Sequence, residues 1–222
     1  MTRLPSSITT VMSAALFITS LSAVPAGAAQ RSETDGIKET ANFVKAGGET
    51  SSAVGEAKLR LQNTLTAYNT LVTQPSKDMK GDYKKLLNAV KDMNESLGDA
   101  RQRVTAMEAM GTTYFAGRAA SIKNIQDEQL RTQAQQRLDE SQKRYANVLT
   151  SLREAGQSLE PVRKDLADQI TYLGSDLSPS GTASLKAQAE KLNARAGESF
   201  GRADQAIATA NGYFNALKPA ES

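Results

Sequence analysis

Residues 138–173, LDESQKRYANVLTSLREAGQSLEPVRKDLADQITYL, decide the fold. Leu138, Tyr145, Leu152, Leu159, Leu166 and Leu173 recur every seven residues. Ser141, Val148, Ala155, Val162 and Gln169 form a second set three residues on. Two interleaved sets at that spacing make the seam of a helix packed lengthwise against another helix.

The same spacing appears in three more segments. One covers about Ile37 to Val72, with Val54, Leu61 and Tyr68 on one set and Leu65 and Val72 on the other. Gly47-Gly48 marks an interruption or fraying near its start. The next runs from about Lys77 to Ala116. Its sets are Tyr83, Val90, Leu97, Val104, Gly111 and Leu86, Met93, Ala100, Met107, Tyr114. Gln74-Pro75-Ser76 separates the two; proline disfavours helix in the residue before it, and Ser76 can cap the second helix. Asp127 is a candidate N-cap for the third segment. Gly174–Gly181 is the clearest loop, with Ser178-Pro179 as a cap and a first helical residue. The fourth segment, about Thr182 to Leu217, repeats Ala189, Ala196, Ala203 and Ala210. Its companion set is Leu192, Ser199 and Ala206. Alanine lets two backbones approach more closely than leucine does.

The predicted fold is all-α, an elongated antiparallel up-down-up-down helical bundle with coiled-coil heptads. Rods of 35 to 45 residues at about 1.5 Å per residue reach roughly 50 to 70 Å. The predicted organisation is a signal peptide over residues 1–29 and one bundle domain over 30–222, with a frayed start at about 30–50 and a disordered end at about 218–222.

The leader has Arg3 as its only charge, an apolar run Val11–Leu21, and small residues before an A-x-A site at Ala26 and Ala28. Gly27 and Ala29 offer a second site one residue on. The apolar run is shorter than the roughly 20 residues that span a bilayer. Cleavage near Ala28/Ala29 and a periplasmic or secreted location are expected. No Cys follows the apolar run, which excludes a lipid anchor there.

The 222-residue chain contains no Cys, no His and no Trp. An exported chain without disulfides relies on its apolar seams. Ser-His-Asp and Cys-His nucleophile arrangements are impossible, as are His-containing zinc sites and Glu-x-x-His di-iron pairs. Once Arg3 leaves with the signal, 26 basic residues face 24 acidic ones, a net charge of +2. The two signs are interspersed, so no nucleic-acid footprint is expected. Carboxylate neighbours such as Asp139-Glu140, or Asp204 near Glu198, sit in patterns that read as solvated faces rather than acid–base sites. No catalytic residue, metal or cofactor is assigned.

Two groups of residues stand out. Met110, Phe115, Ile122 and Ile125 have no heptad slot. They either plug the end of the bundle, the default for apolar surface, or form an exposed patch for a partner or lipid surface. On the patch reading, replacing Met110 and Phe115 by Ser removes binding with little change in melting temperature. Pro161, outside the seam of the best heptad, predicts a kink that leaves the register intact. Gln169 is a polar seam residue, either fixing register or wetted near the helix end.

The ordered set Ile125–Arg131, Leu138, Arg144-Tyr145, Leu149, Arg153-Glu154-Ala155, Glu160-Pro161-Val162 and Asp168-Gln169-Ile170 resembles the conserved half of a bacterial family, domain of unknown function 2959. Asp82–Leu86, Arg103-Val104, Met107-Glu108 and Tyr114-Phe115 are similar to its first half, and Ser184-Leu185 with Ala203-Asp204 to its tail. The chain departs at Tyr172–Leu177. The resemblance implies a secreted or envelope-associated helical protein and brings no catalytic residue with it.

The expected function is therefore that of an exported, non-enzymatic helical scaffold or partner-binding protein of the cell envelope, acting on an unknown protein partner or by self-association. The alternatives are a peripheral protein laying a curved helical face on the envelope membrane, and a carboxylate- or hydroxyl-based enzyme.

Overall fold

The computed structural model describes residues 26–218, with side chains from residue 35 onward. The predicted signal peptide falls outside the described residues except for its last four, which begin a helix; residues 219–222 also lie outside them. Five helices make up the described chain: α1 (Ala26–Thr73), α2 (Met79–Lys123), α3 (Glu128–Ser175), the short α4 (Pro179–Ser184) and α5 (Lys186–Leu217). No strand occurs among the described residues. The fold is all-α.

The four long helices form a closed ring. α1 lies against α2 and α5, and α3 lies against the same two. Cross-helix hydrogen bonds fix the directions. Thr64 Oγ1 donates to Ala89 O (3.0 Å) and Thr50 Oγ1 to Arg103 O (3.4 Å), so α1 and α2 are antiparallel. Tyr145 OH donates to Met107 O (2.6 Å) and Tyr83 OH to Ile170 O (3.2 Å) between α2 and α3. Ser199 Oγ donates to Ser158 O (2.7 Å), and Ser141 and Tyr213 hydroxyls are 3.0 Å apart, between α3 and α5. Lys58 Nζ to Asp204 Oδ1 (2.5 Å) and Asn69 to Asn193 (2.9 Å) join α1 to α5. In every couple one number rises as the other falls, as up-down-up-down topology requires. At about 1.5 Å per residue the 48-residue α1 and α3 are roughly 70 Å long.

The seam residues supply the core. Leu138, Tyr145, Leu152, Leu159, Leu166 and Leu173 are all buried, and so are Ala189, Ala196, Ala203 and Ala210. Burying each such Leu contributes roughly 2 kcal/mol. The polar seam residue Ser199 is buried as well. Its hydroxyl reaches the Ser158 carbonyl, next to the Gln157 carbonyl that Pro161 leaves without an intrahelical donor. α3 runs through Pro161 from Glu128 to Ser175, with the proline ring exposed.

Three boundaries differ from the sequence expectation. α1 is unbroken through Gly47-Gly48, and its residues Phe43, Gly47, Thr50 and Ser51 are buried, so the helix is packed from Phe43 onward, whereas residues 35–42 are mostly exposed. The reason is that Gly47 seats the Phe214 ring of α5. α2 continues past Ala116 to Lys123. Its N-cap is Asp78, which accepts from Gly81 N at 2.9 Å, whereas Ser76 accepts from Asp78 N and holds Asp82. The last predicted segment is split: Ser178 caps α4, accepting from Gly181 N (3.0 Å), and the chain restarts as α5 after Leu185. Asp127 caps α3, accepting from Leu130 N at 2.8 Å.

Ser51 Oγ is the one buried side-chain polar atom without a hydrogen-bond partner among the described residues. A buried hydroxyl left unpaired costs about 1–3 kcal/mol. Ser51→Ala is therefore expected to raise stability by about 1 kcal/mol in chemical denaturation; a loss of stability would show that the hydroxyl has a partner.

Candidate functional site

Of the four residues without a heptad slot, Phe115, Ile122 and Ile125 line one cavity at the end of the bundle, and Met110 does not. Phe115 is buried, at 7 % exposure, and its ring lies 6.0 Å from Phe43 and 5.4 Å from Tyr145. It cannot serve as an exposed contact, and its replacement by Ser would unfasten the core. Met110 points away, 40 % exposed. Ile122 and Ile125 are half-buried and line a cavity at the end of the bundle. Gln169 accepts a hydrogen bond from Tyr68, whose ring is fully buried on α1. It is thus tied across the core rather than left to water, because α1 and α3 face one another at this level.

Phe43, Tyr114, Phe115, Tyr145, Tyr213 and Phe214 form a cluster drawn from all four long helices. Two glycines make room for it. A Cβ on Gly47 would lie inside the Phe214 ring, and one on Gly111 inside the Tyr145 ring. Burial pushes the Tyr68 and Tyr213 phenols up to about 12, and raises Tyr145 as well. Unfolded tyrosine titrates near ~10. The folded chain keeps these protons where the unfolded chain loses them. The stability they contribute is therefore full below about pH 10 and declines as pH rises above it, from about 10 to about 12 for Tyr68 and Tyr213. In an alkaline titration, tyrosinate absorbance for these residues and loss of helical circular dichroism are expected to rise together. Full tyrosinate formation near ~pH 10 with the helices intact would contradict this.

The arrangement best suited to binding is a groove of about 500 Å³ along the α2–α3 seam. Its floor is Val54 and Ala57 of α1, Leu97 and Ala100 of α2, and Leu152 and Leu159 of α3. The gap exists because small residues face each other there: Ala100 and Thr105 on α2, Gly156 on α3, with open space where a Gly156 Cβ would sit. Two ion pairs cross its mouth, Arg101 with Glu160 and Arg153 with Glu108. Seven residues separate Arg101 from Glu108 on α2, so the window between the pairs is about 10 Å long. All four charged side chains are substantially exposed. Such pairs contribute only about 0–1 kcal/mol each and can exchange partners. Pro161 adjoins this groove through Glu160, so the helix wall next to it lacks one backbone hydrogen bond.

Nothing in the single sequence marked the groove. Ala100 is one seam residue among several and Gly156 lies outside the seam sets, so neither announces a gap. Only the pairing of α2 with α3 sets them face to face.

Residues 30–217 match the family model described as protein of unknown function DUF2959. The chain belongs to this family. The match covers both halves of the chain, all four walls of the bundle and the whole α2–α3 groove. The matched range spans Tyr172–Leu177. Leu173 there is fully buried, and the Tyr172 hydroxyl lies 3.1 Å from Ser184 Oγ, so this stretch joins α3 to α4. Searches of curated proteins and of solved structures returned no match. Among the described residues, no helix is long and apolar enough to cross a membrane.

Proposed function

We propose that this chain is an exported, non-enzymatic scaffold of the cell envelope that binds a protein partner through the α2–α3 groove. The observation that carries the proposal is an apolar cleft that reaches the core and is strapped by two ion pairs across its mouth. The partner presents a bulky apolar side chain that enters between the two ion pairs. Its own charges exchange with Arg101, Glu108, Arg153 and Glu160, whose charges sum to zero. A concave, desolvated pocket with a charged rim is where binding energy concentrates in protein interfaces. Export is supported by the leader composition and by a family match that starts at residue 30, just past both cleavage points. N-terminal sequencing of the mature protein is expected to begin at Ala29 or Gln30.

The test is site-specific photocrosslinking in intact cells, with the reactive residue at Thr105 in the groove or at Gly197 on the outer face of α5. A discrete adduct is expected from Thr105 alone, and Gly156→Phe, which fills the groove, is expected to remove it while preserving the fold. Equal adducts from both faces, or an adduct indifferent to Gly156→Phe, would overturn the assignment.

A further inference from the structure

We propose that a second cavity, between the end of α2 and the start of α3, binds a single-chain anionic amphiphile. Its carboxylate head lies between Arg118 and Arg137, and its alkyl tail against Ile122, Ile125, Leu138 and Leu217. The cavity measures about 490 Å³, within the size range of small-molecule sites.

Its charge pattern separates it from the α2–α3 groove. The groove is lined by two arginines and two glutamates, whose charges cancel. The end cavity is lined by Arg118 and Arg137 and by no Asp or Glu. The arginines stand on opposite walls. Arg118 shares a face of α2 with Ile122, four residues on, Ile125 follows in the connection to α3, and Arg137 shares a face of α3 with Ala134 and Ser141. Arg118 and Arg137 both border this lining and no acid does, so an anion held there gains from both. Guanidinium groups suit a carboxylate, which they hold by paired N–H donors. The rest of the lining is apolar or carries a hydroxyl, and the Ser141 hydroxyl is already engaged by Tyr213. A neutral or cationic ligand would gain nothing from the guanidiniums, and an anion without a tail would leave the apolar walls wet. Only a ligand with both parts answers the whole lining.

The mature chain is titrated calorimetrically with dodecanoate below its micelle concentration, in parallel with dodecanol and dodecyltrimethylammonium. One dodecanoate per chain is expected, bound at least about tenfold more tightly than dodecanol, the range of one charge-assisted hydrogen bond. Arg118→Gln with Arg137→Gln is expected to weaken dodecanoate at least about tenfold and to leave dodecanol unchanged. Ala134→Phe, which fills the cavity, is expected to abolish binding of both without lowering the melting temperature. Arg101→Gln, in the other groove, is expected to change neither. Equal affinity for dodecanoate and dodecanol, or the double arginine variant binding like the parent, would overturn the site. So would association with anionic vesicles in the absence of dodecanoate binding, which would move the interaction to a membrane surface. Crosslinking at Thr105 reads the α2–α3 groove independently of every one of these outcomes.

Discussion

Phe43→Ala is expected to cost about 4 kcal/mol, a fall in melting temperature of roughly 8–16 °C for a chain of this size. Phe43 is fully buried, and its ring is 4.5 Å from Tyr114, 5.1 Å from Tyr145, 5.2 Å from Phe214 and 6.0 Å from Phe115. These neighbours belong to α2, α3, α5 and α2 again, so one side chain of α1 touches every other wall of the bundle. Truncation removes the transfer energy of the ring and leaves a cavity whose walls are other rings, held from several sides and poorly able to collapse. Edge and stacked aromatic pairs add about 0.5–1.5 kcal/mol each beyond burial. Urea denaturation of the mature chain reads the change. A cost below about 1 kcal/mol would mean that the stretch of α1 around Phe43 is not docked in solution, as the Gly47-Gly48 pair suggested from sequence.

Gly111→Ala is expected to destabilise by about 2 kcal/mol, although alanine is the better helix former by about 1 kcal/mol. The new methyl would enter the Tyr145 ring. That ring cannot step aside freely: its hydroxyl donates to Met107 O at 2.6 Å, and its faces and edges meet Phe43, Phe115, Tyr213 and Phe214. Overpacking of this kind costs about 1–3 kcal/mol, and detaching the buried tyrosine hydroxyl adds about 1–3 more. Gly48→Ala is the contrast. Gly48 is exposed with nothing within 4 Å of its Cβ position, so only helix propensity remains, and a gain of about 0.5–1 kcal/mol is expected. Two helical glycines with opposite signs distinguish space-making from mere tolerance. Equal effects at both positions would remove the claim that Gly111 is kept small by Tyr145.

The helices and their buried faces were legible because a seam declares itself within one segment. The leucines of α3 and the alanines of α5 repeat locally, and burial follows the repeat without knowledge of the partner. Asp127 and Ser178 were legible for the same reason, since a cap bonds three residues away. The site residues behave differently. Phe115 has no heptad slot, which left an end plug and an exposed patch both open; it is buried because the ring cluster is wider than a two-helix seam. Gln169 looked wet from its place near a helix end, but Tyr68, 101 residues earlier, supplies its donor. Ser199 sat unexplained in the companion set of the alanine repeat until α5 was placed beside the Ser158 carbonyl.

By itself, then, the sequence determined an all-α chain of long amphipathic helices with closely packed α5, because periodicity and capping are short-range and act within a few turns. Tertiary structure alone decided what the helices enclose. Gly47 and Gly111 become seats for rings, Ala100 and Gly156 become opposite walls of a groove, and Arg118 and Arg137 face one cavity. Each of those relations joins residues well apart in the chain, and it exists only once the ring order of the four helices has fixed which faces meet.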